Sequence, residues 1–399
     1  RERLDSVGLT EARFPQTRYP HELTGGQRQR VCIAMAIALH PKLLIADEPT
    51  TALDVTTQAQ ILDLLDEVRR DEGMALWLIT HDLAVVAGRA DRVAVMKDGS
   101  VVEAGSTEQV FRERSHPYTR DLFTASQHVP PDVGRTFGDE VLRVEGAVRD
   151  YVLPRVSLFG PRGRLRAVDE VSLTIRAGES VGLVGESGCG KSTLTRAILG
   201  LEPLQGGQIH LGGSPVTAPH VPPELRRRMQ VVFQDPFGSF NPRHKVERLV
   251  AEPFFLTGRP EDAPDRIARA LTDVGLSASD MDKYIHEFSG GQRQRIAIAR
   301  ALITRPDLIV LDEAVSALDG RVRAQVLELL ADLQGRYQVS YLFISHDLSV
   351  VRSVTDRVLV MKAGKIVEEG PTERVFHEPS HEYTQSLIAA VPQIPNAWR

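Results

Sequence analysis

Gly185-Glu186-Ser187-Gly188-Cys189-Gly190-Lys191-Ser192-Thr193 satisfies G-x-x-x-x-G-K-[ST] at every defined position. The apolar run Ser180 to Val184 before it reads as a strand. Leu194, Ala197, Ile198 and Leu201 after it recur at helical spacing. Strand, glycine-rich loop and helix are the context this motif needs. The glycines let backbone N–H groups close around phosphate oxygens, and the helix start adds its positive dipole end. Lys191 is placed to reach β- and γ-phosphates, and the Ser192 hydroxyl to hold Mg²⁺. The stretch reads as a nucleoside triphosphate site.

Bulk properties bound the rest. A chain of 399 residues holds roughly two or three domains. With 42% hydrophobic and 25% charged residues it falls in the globular class. Its longest apolar run, Val31 to Leu39, is far short of the ~20 residues a membrane-spanning helix needs. The formal net charge is −5 and the densest basic cluster is Arg226 to Arg228, so no nucleic-acid partner is expected. Two cysteines, Cys32 and Cys189, build neither a disulfide framework nor a cysteine-ligated metal site.

An internal repeat organises the chain. His21-Glu22-Leu23-Thr24-Gly25-Gly26-Gln27-Arg28-Gln29-Arg30 returns as His286-Glu287-Phe288-Ser289-Gly290-Gly291-Gln292-Arg293-Gln294-Arg295, an offset of 286 − 21 = 265. Asp47-Glu48 and Asp312-Glu313, Ala52-Leu53-Asp54 and Ala317-Leu318-Asp319, His81 and His346, and Tyr118-Thr119 and Tyr383-Thr384 keep the same offset. A constant period over about a hundred residues marks two copies of one module. Subtracting it from Gly185 gives −80, so the first copy's glycine loop is expected to lie upstream of Arg1, in an N-terminally truncated tandem chain. The expected boundaries are 1–125 for the incomplete first copy, 126–140 for a Pro- and Gly-bearing linker, and 141–399 for the complete second copy. Alternation at Val171, Leu173 and Ile175 predicts an antiparallel sheet early in the second copy. Alternating strands and helices then predict an α/β core with a mostly parallel sheet.

Further chemistry sits at strand ends. Leu308 to Leu311 is a buried-type strand ending in Asp312 and Glu313. The aspartate is suited to a Mg²⁺ shell and the glutamate to polarising water. Tyr341 to Ile344 ends in Ser345-His346, which suits a γ-phosphate sensor. Gln234 ends the run Val231 to Phe233 with a group able to bind metal or water. Ser289-Gly290-Gly291-Gln292 opens a helix as a second anion nest. One triphosphate does not need two nests in one module, so this one is expected to serve a partner module's nucleotide. The helical faces Ile61, Leu64, Leu65, Val68 and Val326, Leu329, Leu330, Leu333 read as core.

Together these residues resemble the nucleotide-binding subunits of ABC transporters, over nearly the whole chain. The resemblance implies a P-loop NTPase cassette, with a mostly parallel sheet core plus antiparallel β and helical subdomains, in two copies of which the first is incomplete. It makes Gly185 to Thr193 the Walker A motif, Asp312-Glu313 the end of Walker B with the catalytic glutamate, and Gln234 the Q-loop. His346 becomes the switch histidine, Ser289 to Gln292 the signature, and Ala317-Leu318-Asp319 the D-loop. Tyr151 lies where the family's adenine-stacking aromatic falls. Asp47, Glu48 and His81 are the first-copy equivalents, and Thr24, Gly25, Gly26 and Gln27 the first signature. In the head-to-tail pairing of the family, Thr24 to Gln27 and Asp54 would complete the ATP site of Gly185 to Thr193. Catalysis would fall to Glu313, His346 and Gln234, with Mg²⁺ held by Ser192, Gln234 and Asp312.

The tails His116-Pro117-Tyr118-Thr119 and His381-Glu382-Tyr383-Thr384, and Phe233 to Pro242, resemble the oligopeptide, dipeptide and nickel importer ATPases. That implies a peripheral subunit on the cytoplasmic face of the membrane, with two permeases and an extracytoplasmic solute-binding protein. The expected permease docking surface is Gln234 to Lys245. The sequence departs from the family in having Thr24 in place of the first signature's serine. It also has Ala314-Val315 where the first copy has Pro49-Thr50, and lacks the tail cysteine cluster of some relatives. The competing reading is a soluble ABC ATPase acting on ribosomes or DNA. The short linker of low charge and the absence of zinc cysteines weigh against it.

Overall fold

The computed structural model describes residues 1–51, 53–126, 136–153, 162–235, 238–256, 258–316 and 318–398. Most of the linker, the D-loop residues Ala52 and Ala317, and Pro236 and Phe237 lie outside the described residues. The chain divides into two compact units. One comprises Arg1–His128, Asp319–Arg321 and Ala389–Arg399; the other comprises Val129–Leu318 and Val322–Ile388.

In the first unit, β1 (Leu43–Asp47) pairs in parallel with β2 (Ala75–Ile79), and β3 (Arg92–Lys97) pairs antiparallel with β4 (Ser100–Ser106), as two separate sheets. The helix Val55–Glu72 buries Ile61, Leu64, Leu65 and Val68 against the β1–β2 pair, as its period requires. It ends at Gly73, whose φ of 60° is the left-handed cap that glycine adopts at low cost. The C-terminal Ala389–Arg399, assigned by sequence to the second copy, packs in this first unit. Ile394 joins Ala87, Phe111 and Phe123, and the Trp398 ring meets Phe111 edge-on at 5.9 Å. The reason is apolar burial, which follows shape rather than chain order.

The second unit is built on a six-stranded sheet. Its strands are β7 (Ser180–Val184), β10 (Met229–Val232), β11 (Leu308–Asp312), β12 (Ser340–Ile344), β13 (Arg357–Lys362) and β14 (Lys365–Pro371). Their order is β10-β11-β12-β7-β13-β14, parallel except for the β14 edge. A four-stranded antiparallel sheet contains β5 (Glu140–Val152), β6 (Arg164–Arg176), β8 (Gly206–Leu211) and β9 (Ser214–Pro215), in the order β6-β5-β8-β9. Val171, Leu173 and Ile175 point from it into the core shared with β7, β11 and β12. Ser180 to Val184 is buried throughout, the pattern of a central parallel strand covered on both faces.

Two sequence expectations are corrected here. The helix after the glycine loop ends at Ile198, because Gly200 adopts φ 63° in a turn whose Cβ would lie 2.2 Å from Val221. Leu201 is therefore not part of the helical stripe and is half exposed. In the helix Gly320–Tyr337 the buried apolar side chains are Val326, Leu327, Leu330 and Leu333, with Leu329 only partly covered.

The comparison of equivalent strands is informative. Leu308, Val310, Leu342 and Ile344 are fully buried under the antiparallel layer and the loop helix. Their counterparts 265 residues earlier, Leu43, Ile45, Trp77 and Ile79, are 46%, 59%, 60% and 42% exposed. Strand β7 separates β12 from β13 in the second unit. Their counterparts β2 and β3 belong to two separate sheets.

Candidate nucleotide site

The loop after β7 needs its glycines for backbone reasons. Gly185, Gly188 and Gly190 have φ of 152°, 81° and 114°. A Cβ on Gly185 would lie 2.2 Å from the Met361 carbonyl oxygen, and one on Gly190 2.1 Å from that of Ala167. Only glycine fits a loop that passes this close to two other backbones. Ser187 and Gly188 form its exposed crown, while Cys189 and Lys191 are buried. Burial pushes the Cys189 thiol up, which makes it an inert packing group. Lys191 Nζ donates to the carbonyls of Gly185 at 2.6 Å and Glu186 at 2.9 Å. An ammonium folded onto two carbonyls inside a glycine-rich loop suits a triphosphate, which would offer it a formal counter-charge. Ser192 is exposed at the first turn of the helix Lys191–Ile198, and Thr193 Oγ1 lies 3.4 Å from Tyr151 Oη.

Strand register assembles the acids and the histidine. Asp312 pairs with Ile344 across β11 and β12. The next residue on one chain is Glu313, and two residues on from Ile344 is His346. Glu313 N–H still donates to the Ile344 carbonyl at 2.9 Å, but Glu313 turns to φ 50°. That left-handed conformation in a non-glycine residue costs ~1–3 kcal/mol and is typical of sites where a side chain must be re-aimed. His346 Nδ1 then lies 3.2 Å from Glu313 Oε1. Burial pulls the Glu313 pKa upward, but the His346 hydrogen bond and the charges of His346 and Lys191 outweigh it, and the carboxyl is lowered. Asp312 moves the other way: burial and the Glu313 charge raise it against Lys191 and Arg196.

The first unit repeats this geometry. Glu48 has φ 44°, its N–H donates to the Ile79 carbonyl at 2.9 Å, and His81 Nδ1 lies 3.1 Å from Glu48 Oε1. Hydrogen bonding from the Thr51 hydroxyl, and from His81, lowers the Glu48 pKa despite burial. Asp47 ends β1 as Asp312 ends β11. Asp54 is 4% exposed and caps the helix Val55–Glu72: its Oδ1 accepts from Thr57 N–H at 2.9 Å and Oδ2 from the Thr57 hydroxyl at 3.0 Å.

Both signature stretches form capping boxes. The Ser289 hydroxyl accepts from Gln292 N–H at 3.4 Å, and Gln292 Oε1 accepts from Ser289 N–H at 3.0 Å. Thr24 and Gln27 show the same two distances. The paired glycines have different reasons. A Cβ on Gly291 would lie 2.3 Å from Val322, and one on Gly26 2.4 Å from Thr57, so these two are fixed by helix packing. Gly290 has open space around it, and Gly25 meets Leu53 only at 3.3 Å.

Tyr151, at the end of β5, donates from its hydroxyl to Glu202 at 2.6 Å, and the Arg149 guanidinium lies 4.8 Å from its ring centroid. Gln234 is exposed and lines a cleft of about 870 Å³ together with Asp312, Phe233, Ser239, Phe255 and Arg300. Arg300 anchors one wall: its guanidinium donates to the Ser239 carbonyl and hydroxyl and to Glu252. Sequence reasoning gave Arg300, Phe255 and the Arg149–Glu202 pair no role. No motif marks them, because they converge from distant segments. Among the described residues no group of three or more His, Cys, Asp or Glu side chains forms a metal cluster.

The family model described as ABC transporter matches residues 1–51 and 168–316. The chain belongs to the ABC transporter family. It is an ABC ATPase, and the oligopeptide/dipeptide transporter C-terminal region matches residues 102–143 and 367–399. The cassette is 47% identical over 399 residues to the peptidoglycan transport ATP-binding protein YejF of Agrobacterium fabrum, covering 98% of this chain and 72% of that one. It is 46% identical to the glutathione import ATP-binding protein GsiA of Escherichia coli K12, covering 98% and 67%. Among solved structures, cbiO1 from Clostridium perfringens, part of the ABC transporter complex cbiONQ, matches with TM-score 0.53 at 29% identity, over 60% of this chain and 92% of that one. The ATP-binding cassette MJ0796, a dimer bound to ADP and Pi, matches with TM-score 0.51 at 25% identity, over 58% and 98%. Among the described residues no helix is long and apolar enough to cross a membrane.

Proposed function

We propose that this ABC ATPase energises an importer of peptides or similar small solutes. The observation that carries the catalytic part is the Glu313–His346 pair just beyond the ends of β11 and β12, in the same sheet as β7, which the Lys191 loop follows. Glu313 is the general base for the attacking water, His346 orients it toward the γ-phosphate, and Lys191 with the loop amides holds the β- and γ-phosphates. Tyr151 offers its ring to the base, oriented by Arg149 and Glu202.

Mg²⁺ fits the site. Asp312 is a half-buried carboxylate whose charge is disfavoured by burial and by Glu313, so a cation would relieve it. Ser192, Asp312 and Gln234 would hold the ion, which would neutralise phosphate charge. Each signature nest, at Ser289 to Gln292 and Thr24 to Gln27, is read as serving the nucleotide of a paired cassette. Two cassettes in tandem, the first without its glycine loop in this sequence, is the reading supported by the constant offset of 265 and by the duplicated Glu–His geometry.

Peptide-type transport is supported by the tail-region match and by relatives named for peptidoglycan and glutathione. Those names weigh against a ribosome- or DNA-directed ATPase. Transport then needs two permeases and a solute-binding protein, with this subunit peripheral on the cytoplasmic face. The cleft of Gln234, Phe255 and Arg300 is the proposed permease seat. The Gln234 to Lys245 surface expected from sequence is thereby extended, and Lys245 is already engaged with Asp282 at 3.4 Å. Reconstitution with permeases and binding protein in vesicles tests this. ATP-driven uptake of peptide or glutathione supports it. ATP-dependent ribosome binding without uptake refutes it.

A further inference from the structure

Hydrolysis leaves the tail motif His381-Glu382-Tyr383-Thr384 without a task. Its frame is set by Glu368 on β14, which accepts from Ser380 N–H at 2.8 Å, the Ser380 hydroxyl at 2.6 Å and His381 N–H at 3.1 Å. His381 Nδ1 accepts from Tyr383 N–H at 3.0 Å. These bonds fix the start of the helix Glu382–Ala389 and aim Tyr383 inward, where it is 5% exposed with Lys362 Nζ 4.6 Å from its ring centroid. The Tyr383 hydroxyl accepts from Glu186 N–H at 3.0 Å. Glu186 is the second residue of the glycine loop, and its carbonyl is one of the two that Lys191 binds.

The frame is repeated 265 residues earlier. Glu103 accepts from Ser115 N–H at 2.9 Å and His116 N–H at 3.1 Å, His116 Nδ1 accepts from Tyr118 N–H at 3.1 Å, and Lys97 lies 5.2 Å from the Tyr118 centroid. A tyrosine delivered twice by the same carboxylate, histidine and lysine is a constructed feature.

We propose that the tail motif is a latch on the phosphate loop, with Tyr383 as a positioning residue. Lys191 and Tyr383 hold Glu186 from its two sides, carbonyl and amide. When Lys191 turns to a triphosphate it releases the carbonyl, while the Tyr383 bond keeps the first limb of the loop in the shape that receives phosphate. The tail thereby sets ATP affinity. This rests on the reading of Gly185 to Thr193 as the ATP site.

Tyr383→Phe tests it in the full chain, because it keeps the ring beside Lys362 and removes only the hydroxyl that receives the Glu186 N–H. In nucleotide-free protein, amide exchange over 185–190 should quicken while 180–184 stays unchanged. The KM for ATP should rise roughly 2- to 10-fold, the change that one net neutral hydrogen bond supports, at nearly constant kcat. A parent loop that gains protection from MgATP, beside a Tyr383→Phe variant with parental KM and exchange, overturns the latch alone. A fall in kcat at constant KM also overturns it. A parent loop that gains no protection from MgATP overturns the nucleotide reading and the latch with it.

Discussion

His346 Nδ1 stands 3.2 Å from Glu313 Oε1, at the ends of two neighbouring parallel strands. Strand register places the two residues side by side, and the left-handed turn at Glu313 brings the carboxylate to the imidazole. The same relation holds between His81 and Glu48 at 3.1 Å. The same backbone device, a left-handed glutamate at a strand end, builds the contact at both places.

Replacing Glu313 by Gln removes the proposed base and keeps the size. Hydrolysis should fall roughly 10²-fold or more, the usual contribution of a positioned base. ATP binding, read by calorimetry, should remain near the parental level. Parental turnover in a preparation free of contaminating ATPase would show that another group activates the water.

Lys191→Ala removes the cation folded onto the Gly185 and Glu186 carbonyls. MgATP should raise the parent's Tm and leave the variant's Tm unmoved, because the ligand stabilises only by binding the folded state. One nucleotide per chain is expected in the parent. A stoichiometry of two would require a second cradle.

Gly291→Ala should destabilise the second unit by about 1–3 kcal/mol, since the new methyl would meet Val322 at 2.3 Å. Val322→Ala in the same chain should recover much of that loss, a coupling that a double-mutant cycle measures. Gly290→Ala, with open space around its Cβ, should leave stability within ~0.5 kcal/mol in denaturant titrations. Equal losses at both positions would contradict the packing account.

Glu368 governs an acid-sensitive contribution. Burial pulls its pKa upward, but the Ser380 hydroxyl and amide and the His381 amide, with the Thr384 hydroxyl alongside, hold it at about 2 against an ordinary 4.5. A lowered carboxylate stabilises the folded state above its unfolded pKa. The contribution is lost as pH falls from 4.5 through about 2. Glu368→Gln should be less stable than the parent at neutral pH, with the gap closing across that window in denaturant midpoints. A gap independent of pH would mean the carboxylate's charge is not what matters.

The glycine loop, the two acids, the histidine and the two Gly-Gly helix starts were legible in the sequence, because each is a set of particular residue types at fixed spacing within its own short stretch. The repeat was legible for the same reason: identical chemistry recurs at a constant offset. Tertiary structure alone decided that Asp312 and Glu313 have oppositely shifted pKa values, since that depends on burial and on which charges lie across the strands. It alone assigned Gly291 to packing and left Gly290 open. It placed Trp398 beside Phe111, 287 positions away, and the Tyr383 hydroxyl on the Glu186 amide, 197 positions away. Such contacts carry no local periodicity. They arise when burial and hydrogen bonding are satisfied across the whole fold, where chain separation imposes little further cost once the surrounding structure has formed.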